Sequence, residues 1–270
     1  MNIYLEDNLA TMSKIPDKFI SGIVTSPPYN LGTKRKDCYY NNGYSSKDNL
    51  SQQEYISLRI NEFKEFSRIL KDDGIICYNI SYHNENPILP TLLISEIHNQ
   101  TDLTVADIIT WKKKSALPFQ TSPTKLSRIC ELIYVIVKKD RLHDFRTNKV
   151  VSSVNQKTKQ KFYKNYTNMI EADNNDGIKS KVKASYSGDL VYKLFNIYFP
   201  IDSVIYDPFS GIGTTARACK KSGRRFIGGK KIAMQKYESK PETKERKKNN
   251  HKKWYNENKE KWNEYIKEYR

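Results

Sequence analysis

The apolar run Phe19-Ile20-Ser21-Gly22-Ile23-Val24 stops abruptly at Thr25-Ser26-Pro27-Pro28-Tyr29-Asn30, and that junction narrows what the chain can fold into. A β-branched run of this length reads as a buried strand. Each proline fixes its own φ and drives its predecessor toward extended geometry, so the strand hands over directly to a rigid loop. Such a loop stands at the carboxyl end of its strand, the edge along which open α/β sheets bind ligands. Tyr29 and its small polar neighbours, held there, suit a reaction site. A Pro-Pro turn with Tyr29 packed as cover is the plain alternative at this point.

Downstream, strand-like and helix-like segments alternate. Ile3-Tyr4-Leu5 reads as a short strand leading through Glu6-Asp7 into a brief helix that ends by Met12. The stretch from Leu31 to Asn49 has no periodicity and reads as a long loop. Ser51-Gln52-Gln53-Glu54 is a capping box, with Ile56, Ile60, Phe63 and Leu70 at helical spacing behind it. Lys71-Asp72-Asp73-Gly74 should end that helix before a strand at 75–80. A helix over 88–100 and strands over 103–111 and 132–137 follow.

From about 141 to 183 the chain turns polar, with Phe162, Tyr163 and Tyr166 set among lysines. Basic residues interleaved with aromatics suit contact with a nucleic-acid backbone and stacking on bases, while a solvated insertion is the bland reading. A helix over 188–198 and a strand over 203–206 then run into Asp207-Pro208-Phe209-Ser210-Gly211-Ile212-Gly213-Thr214-Thr215. A strand, two glycines and a helix (216–221) make the geometry that holds a nucleoside cofactor against backbone amides.

The charge of +17, from 47 Lys and Arg against 30 Asp and Glu, is the footprint of a polyanion binder. The segment 230–270 carries +7 of it, so the rest of the chain is basic too. No stretch of eighteen apolar residues occurs, and the acidic start Met1-Asn2-Ile3-Tyr4-Leu5-Glu6-Asp7 lacks the build of a signal peptide, so a cytoplasmic protein without a membrane partner is expected. The four cysteines and four histidines are scattered, which suggests neither a disulfide framework nor a metal site.

Taken together, the two motifs resemble those of the amino-methylating DNA methyltransferases in the permuted order called the beta group, over roughly residues 3–227. The resemblance implies an α/β fold, a doubly wound Rossmann-like S-adenosylmethionine-dependent methyltransferase domain with circularly permuted motif order, over 1–229. The 141–183 segment would be its target-recognition insertion and 230–270 a basic low-complexity tail. It implies a catalytic loop of Ser26, Pro27, Pro28 and Tyr29, in which Ser26 and the Pro27 carbonyl accept hydrogen bonds from the target amino group and Tyr29 stacks on the flipped base. For the cofactor it implies Asp207, Phe209, Gly211 and Gly213, with Asp207 near the methionine amino group and Asp7 near the adenine. Thr214 and Thr215 would cap or support the helix start. Double-stranded DNA is the implied partner, and a homodimer is an arrangement the resemblance leaves open. Serine at the first motif position leans toward cytosine N4, with adenine N6 still open.

The family's next strand usually ends in an acid for the ribose hydroxyls, whereas here Phe226-Ile227-Gly228-Gly229 is followed by Lys230-Lys231. A lysine cannot accept those hydroxyl protons. A second reading therefore stands beside the enzyme: a DNA-binding protein derived from a methyltransferase, with impaired cofactor binding. Methylation of RNA or of a protein glutamine is a third, which the basic middle region disfavours.

Overall fold

The computed structural model describes residues 2–4, 6–30, 50–82, 86–115, 126–178 and 186–229. The expected loop at 31–49, Lys230 and the tail at 230–270 lie outside them. The described residues belong to one compact unit, Met1–Lys231.

The expected strand at the amino terminus is β1 (Asn2–Tyr4), followed by the single-turn α1 (Asn8–Met12) with Asp7 as its N-cap. The run before the prolines is β2 (Ile20–Thr25). Beyond it α2 (Gln52–Ile69) starts at Ser51 with both halves of the capping box formed. The next strand, β3 (Leu70–Ile80), begins directly at the helix end. Ile20 pairs with Leu70 and Gly22 with Ile75, so Lys71-Asp72-Asp73-Gly74 bulges from the ladder between them instead of forming a separate turn.

After α3 (Leu89–Gln100), the strands β4 (Leu103–Lys113) and β5 (Cys130–Lys138) lie antiparallel to each other. The polar middle region holds a short 3-10 helix, an exposed ribbon of β6 (Val151–Val154) and β7 (Lys161–Tyr163), and then β8 (Met169–Ala172). That last strand pairs with β4, so this part of the 141–183 segment is an edge of the main sheet. The chain closes with α4 (Gly188–Tyr198), β9 (Val204–Asp207), α5 (Thr214–Lys221) and β10 (Arg225–Gly229).

Eight strands form one sheet in the order β1-β10-β9-β2-β3-β5-β4-β8, with β5 alone running against the others. Apolar residues fill both faces. Helices α1, α2 and α3 cover one through Met12, Phe63, Phe66 and Leu93. Helices α4 and α5 cover the other through Leu190, Leu194, Phe195 and Ala218. A sheet buried on both sides explains why its strands read as continuous apolar runs. Among the described residues no helix is long and apolar enough to cross a membrane.

Candidate active site

Four neighbouring strands each carry an apolar row on the α4/α5 face, and each row ends in a polar residue at the same edge of the sheet. Side chains two apart share a face. In β2 Val24 is followed by Ser26, in β3 Cys77 by Asn79, in reversed β5 Ile133 by Glu131, and in β4 Trp111 by Lys113. The four apolar members are core residues, and the polar ones converge just beyond them.

Ser26 Oγ and Tyr29 OH are 2.7 Å apart. Tyr29 OH donates to Glu131 Oε2 at 3.1 Å. Asn79 Nδ2 donates to Tyr29 OH at 2.6 Å and to Glu131 Oε2 at 2.9 Å. Lys113 Nζ pairs with Glu131 Oε1 at 2.5 Å. Burial, with Glu131 beside it, pushes the Tyr29 phenol well above its usual range, so the hydroxyl keeps its proton.

The loop is held from α2 as well. Tyr55 OH donates to the Pro28 carbonyl at 2.7 Å. At the loop's exit Asn30, with a left-handed φ of 57°, exchanges two 2.8 Å hydrogen bonds with the Leu50 backbone. One turn further along α2, Arg59 lies with its guanidinium carbon 5.3 Å from the Tyr55 ring centre and 5.1 Å from that of Phe209. A single helix face therefore backs both sequence motifs.

The second motif leaves β9, the neighbour of β2. Asp207 is 2% exposed, and protein groups occupy both of its oxygens. Thr25 Oγ1 (2.8 Å) and the Phe209 amide (3.0 Å) donate to Oδ1. Thr215 Oγ1 (2.8 Å) and Tyr186 OH (3.1 Å) donate to Oδ2. Burial pushes the Asp207 carboxyl above its ordinary value, against the pull of these donors.

Helix α5 begins at Gly213, whose φ of 79° suits glycine, and no side chain caps it. Thr214 and Thr215 thus lie in the first turn instead of capping it, and Thr215 supports the helix start through Asp207. The Ser210 amide donates to the Gly229 carbonyl at 3.2 Å, which ties the loop to β10. A Cβ on Gly228 would come within 2.3 Å of Ser210 Oγ, so glycine there lets the loop close down.

Ser26, Pro27, Pro28 and Tyr29 thus share one edge with Asp207, Phe209, Gly211 and Gly213. Asp7 stands at that edge too, at the end of β1, two strands from β9. Asn79, Glu131, Lys113, Tyr55, Arg59 and Tyr186 were not singled out by sequence reasoning. Glu131 carried a usable signal: it is a lone acid opening an apolar strand, in phase with the buried row Ile133 and Val135.

Solved structures share this architecture. The chain is similar to PvuII DNA methyltransferase (cytosine-N4-specific), at 18% identity and a TM-score of 0.65 over 85% of this chain and 81% of that one. It is also similar to M1.HpyAVI in its SAM complex, at 20% identity and a TM-score of 0.53 over 85% and 93% of the two chains. At these identities the likeness speaks for the fold, a doubly wound Rossmann-like α/β domain. The sequence match speaks for the family: residues 20–240 match the N6/N4 DNA methylases, and the chain belongs to that DNA methylase family.

Proposed function

We propose that this protein transfers a methyl group from S-adenosylmethionine to the exocyclic amino group of a base in double-stranded DNA, cytosine N4 or adenine N6, and that it does so in the cytoplasm. The observation that supports the reading is the Thr25–Asp207 hydrogen bond, which holds the loop of Ser26 to Tyr29 beside the loop of Phe209 to Gly213 at one sheet edge.

The residues fit the cofactor. Around Gly213 a Cβ would meet nothing closer than 3.9 Å, which leaves room beside the loop backbone. The uncapped first turn of α5 offers amides to the carboxylate of an amino-acid ligand. Phe209, backed by Arg59, offers an aromatic wall, and Asp7 an acceptor at the end of β1. Asp207, saturated by protein donors, serves by shaping the loop and placing a buried carboxylate beneath a cationic ligand.

An exocyclic amine is a weak nucleophile because its lone pair is delocalised into the ring. Ser26 Oγ and the Pro27 carbonyl accept its two hydrogens and favour a pyramidal nitrogen. Tyr29, its hydroxyl anchored to Asn79 and Glu131, offers its ring face to a base taken out of the stack. When bound, the cofactor supplies an electrophilic methyl carbon on a sulfonium sulfur, which leaves with the bonding pair. The methylated nitrogen then loses one proton to water, so orientation supplies the rate and no strong base is needed. Serine at position 26 favours cytosine.

The β6–β7 ribbon, with Phe162 47% and Tyr163 52% exposed between Lys161 and Lys164, is rooted beside Ile197 at the far end of α4 from Thr214, and its proposed role is contact with DNA away from the reacting base. Incubation with labelled S-adenosylmethionine and mixed-sequence duplex DNA should place label in N4-methylcytosine or N6-methyladenine on nucleoside mass spectrometry. Label in neither overturns the reading. The cofactor alone should raise the melting temperature, because a ligand bound only by the folded state stabilises it. A DNA-binding derivative with impaired cofactor binding would show no such shift.

A further inference from the structure

Ser26, Tyr29, Asn79, Glu131 and Lys113 form a network whose hydrogens can be counted. We infer that Glu131 is a positioning residue for methyl transfer: acting through Tyr29, it makes Ser26 Oγ a pure hydrogen-bond acceptor toward the target base. This rests on reading Ser26 to Tyr29 as the loop that holds the amine.

As the partner of the Lys113 ammonium, the Glu131 carboxylate only accepts. Asn79 Nδ2 has two hydrogens, and its contacts of 2.6 Å to Tyr29 OH and 2.9 Å to Glu131 Oε2 take both. Its longer approach to Ser26, at 3.4 Å, is left without one. Tyr29 has a single hydrogen. Its 3.1 Å contact with Glu131 Oε2 needs that hydrogen, since two acceptor oxygens would otherwise face each other. The Tyr29 oxygen is then an acceptor toward everything else. The 2.7 Å contact between Ser26 and Tyr29 must accordingly use the Ser26 hydrogen.

Ser26 keeps only lone pairs for the pocket. An isolated serine hydroxyl can turn to donate or accept, and would serve an amino group or a ring carbonyl alike. With its hydrogen committed to Tyr29, Ser26 accepts from an amino group and repels the carbonyl that replaces it in uracil or hypoxanthine. The network thus selects amino bases over their deaminated counterparts.

Neutron diffraction of the deuterated protein should find the Ser26 deuteron on the line to Tyr29 and the Tyr29 deuteron on the line to Glu131. A Tyr29 deuteron directed at Ser26 overturns the inference. Glu131→Gln lets an amide hydrogen point at Tyr29, which frees the phenol to donate to Ser26 and turns the Ser26 hydrogen into the pocket. The expected result is a fall in kcat on the order of 100-fold, the scale of one lost transition-state hydrogen bond, with cofactor affinity by calorimetry unchanged. In a Tyr29→Phe background the relay is already cut, so Glu131→Gln should cost nothing further. An equal loss in both backgrounds marks Glu131 as merely structural and overturns the inference. If the wild-type protein methylates no DNA while the deuterons lie as stated, the functional reading fails and the polarity of the network stands. If it methylates DNA with the deuterons reversed, the inference fails alone.

Discussion

Thr25 Oγ1 donates a 2.8 Å hydrogen bond to Asp207 Oδ1, joining residues 182 positions apart in the chain. The contact exists because β2 and β9 are neighbours in the sheet, so the loops leaving them share one edge. Thr25→Val keeps the branched shape and removes the donor. Loss of a hydrogen bond to a buried charged group should lower stability by about 1–3 kcal/mol, read by urea denaturation. An unchanged midpoint would mean that Asp207 is satisfied without Thr25.

Tyr29→Ala and Asp207→Ala should fail differently. On the proposed reading Tyr29 serves the target amine, so its loss should abolish methyl transfer while calorimetry still shows cofactor binding. Asp207 organises Thr25, Phe209, Thr215 and Tyr186, so its loss should weaken cofactor binding and lower the melting temperature together. Equal loss of cofactor binding in both variants would contradict this division of labour.

The pH dependence of stability carries the signature of Asp207. Its folded-state carboxyl binds a proton more tightly than in the unfolded chain, where the ordinary value is 3.8. Between that value and the raised one the folded state holds more protons, so stability rises as pH falls through this window. Wild type should therefore gain stability relative to Asp207→Asn as pH falls through it. A gain in the opposite direction, in paired denaturation curves, would mean that the donors outweigh burial.

Gly228→Ala places a methyl group against Ser210 Oγ and the Phe226 ring, at 2.3 and 2.5 Å if nothing moves. The loop after β9 must lift away from β10. We expect a loss of about 1–3 kcal/mol, as for other overpacked sites, with weaker cofactor binding. Unaltered thermal melting and unaltered cofactor affinity would show that the loop does not rest on Gly228.

Local chemistry made much of this fold legible. The Ser51–Glu54 capping box starts α2, and the apolar spacing from 188 to 198 is α4. Where one residue's preference had to be weighed against its neighbours, the outcome differed. Lys71 to Gly74 bulges from β3 because strand pairing resumes on both sides of it. Gly213, in the left-handed region, takes the cap position that Thr214 or Thr215 would have filled. The two loop motifs stood out because each is contiguous. Asn79, Glu131 and Lys113 reach Ser26 and Tyr29 only through the pairing of β3, β5 and β4, and cross-strand pairing is a long-range fact that local patterns do not carry.

The backward run of β5 ties chemistry to alignment. A forward strand brings its exit to the edge where Ser26 and Asp207 stand, whereas β5 brings its entrance, and Glu131 reaches Tyr29 there because it lies opposite Trp111. A slip of one residue in this strand would leave every backbone ladder bond available yet exchange its two faces. Cys130 or Leu132 would then stand where Glu131 does, and the protein would keep its shape while losing the acid that organises Tyr29 and Ser26. Insertions and deletions at the entrance to β5 are thus a route to a folded but silent variant.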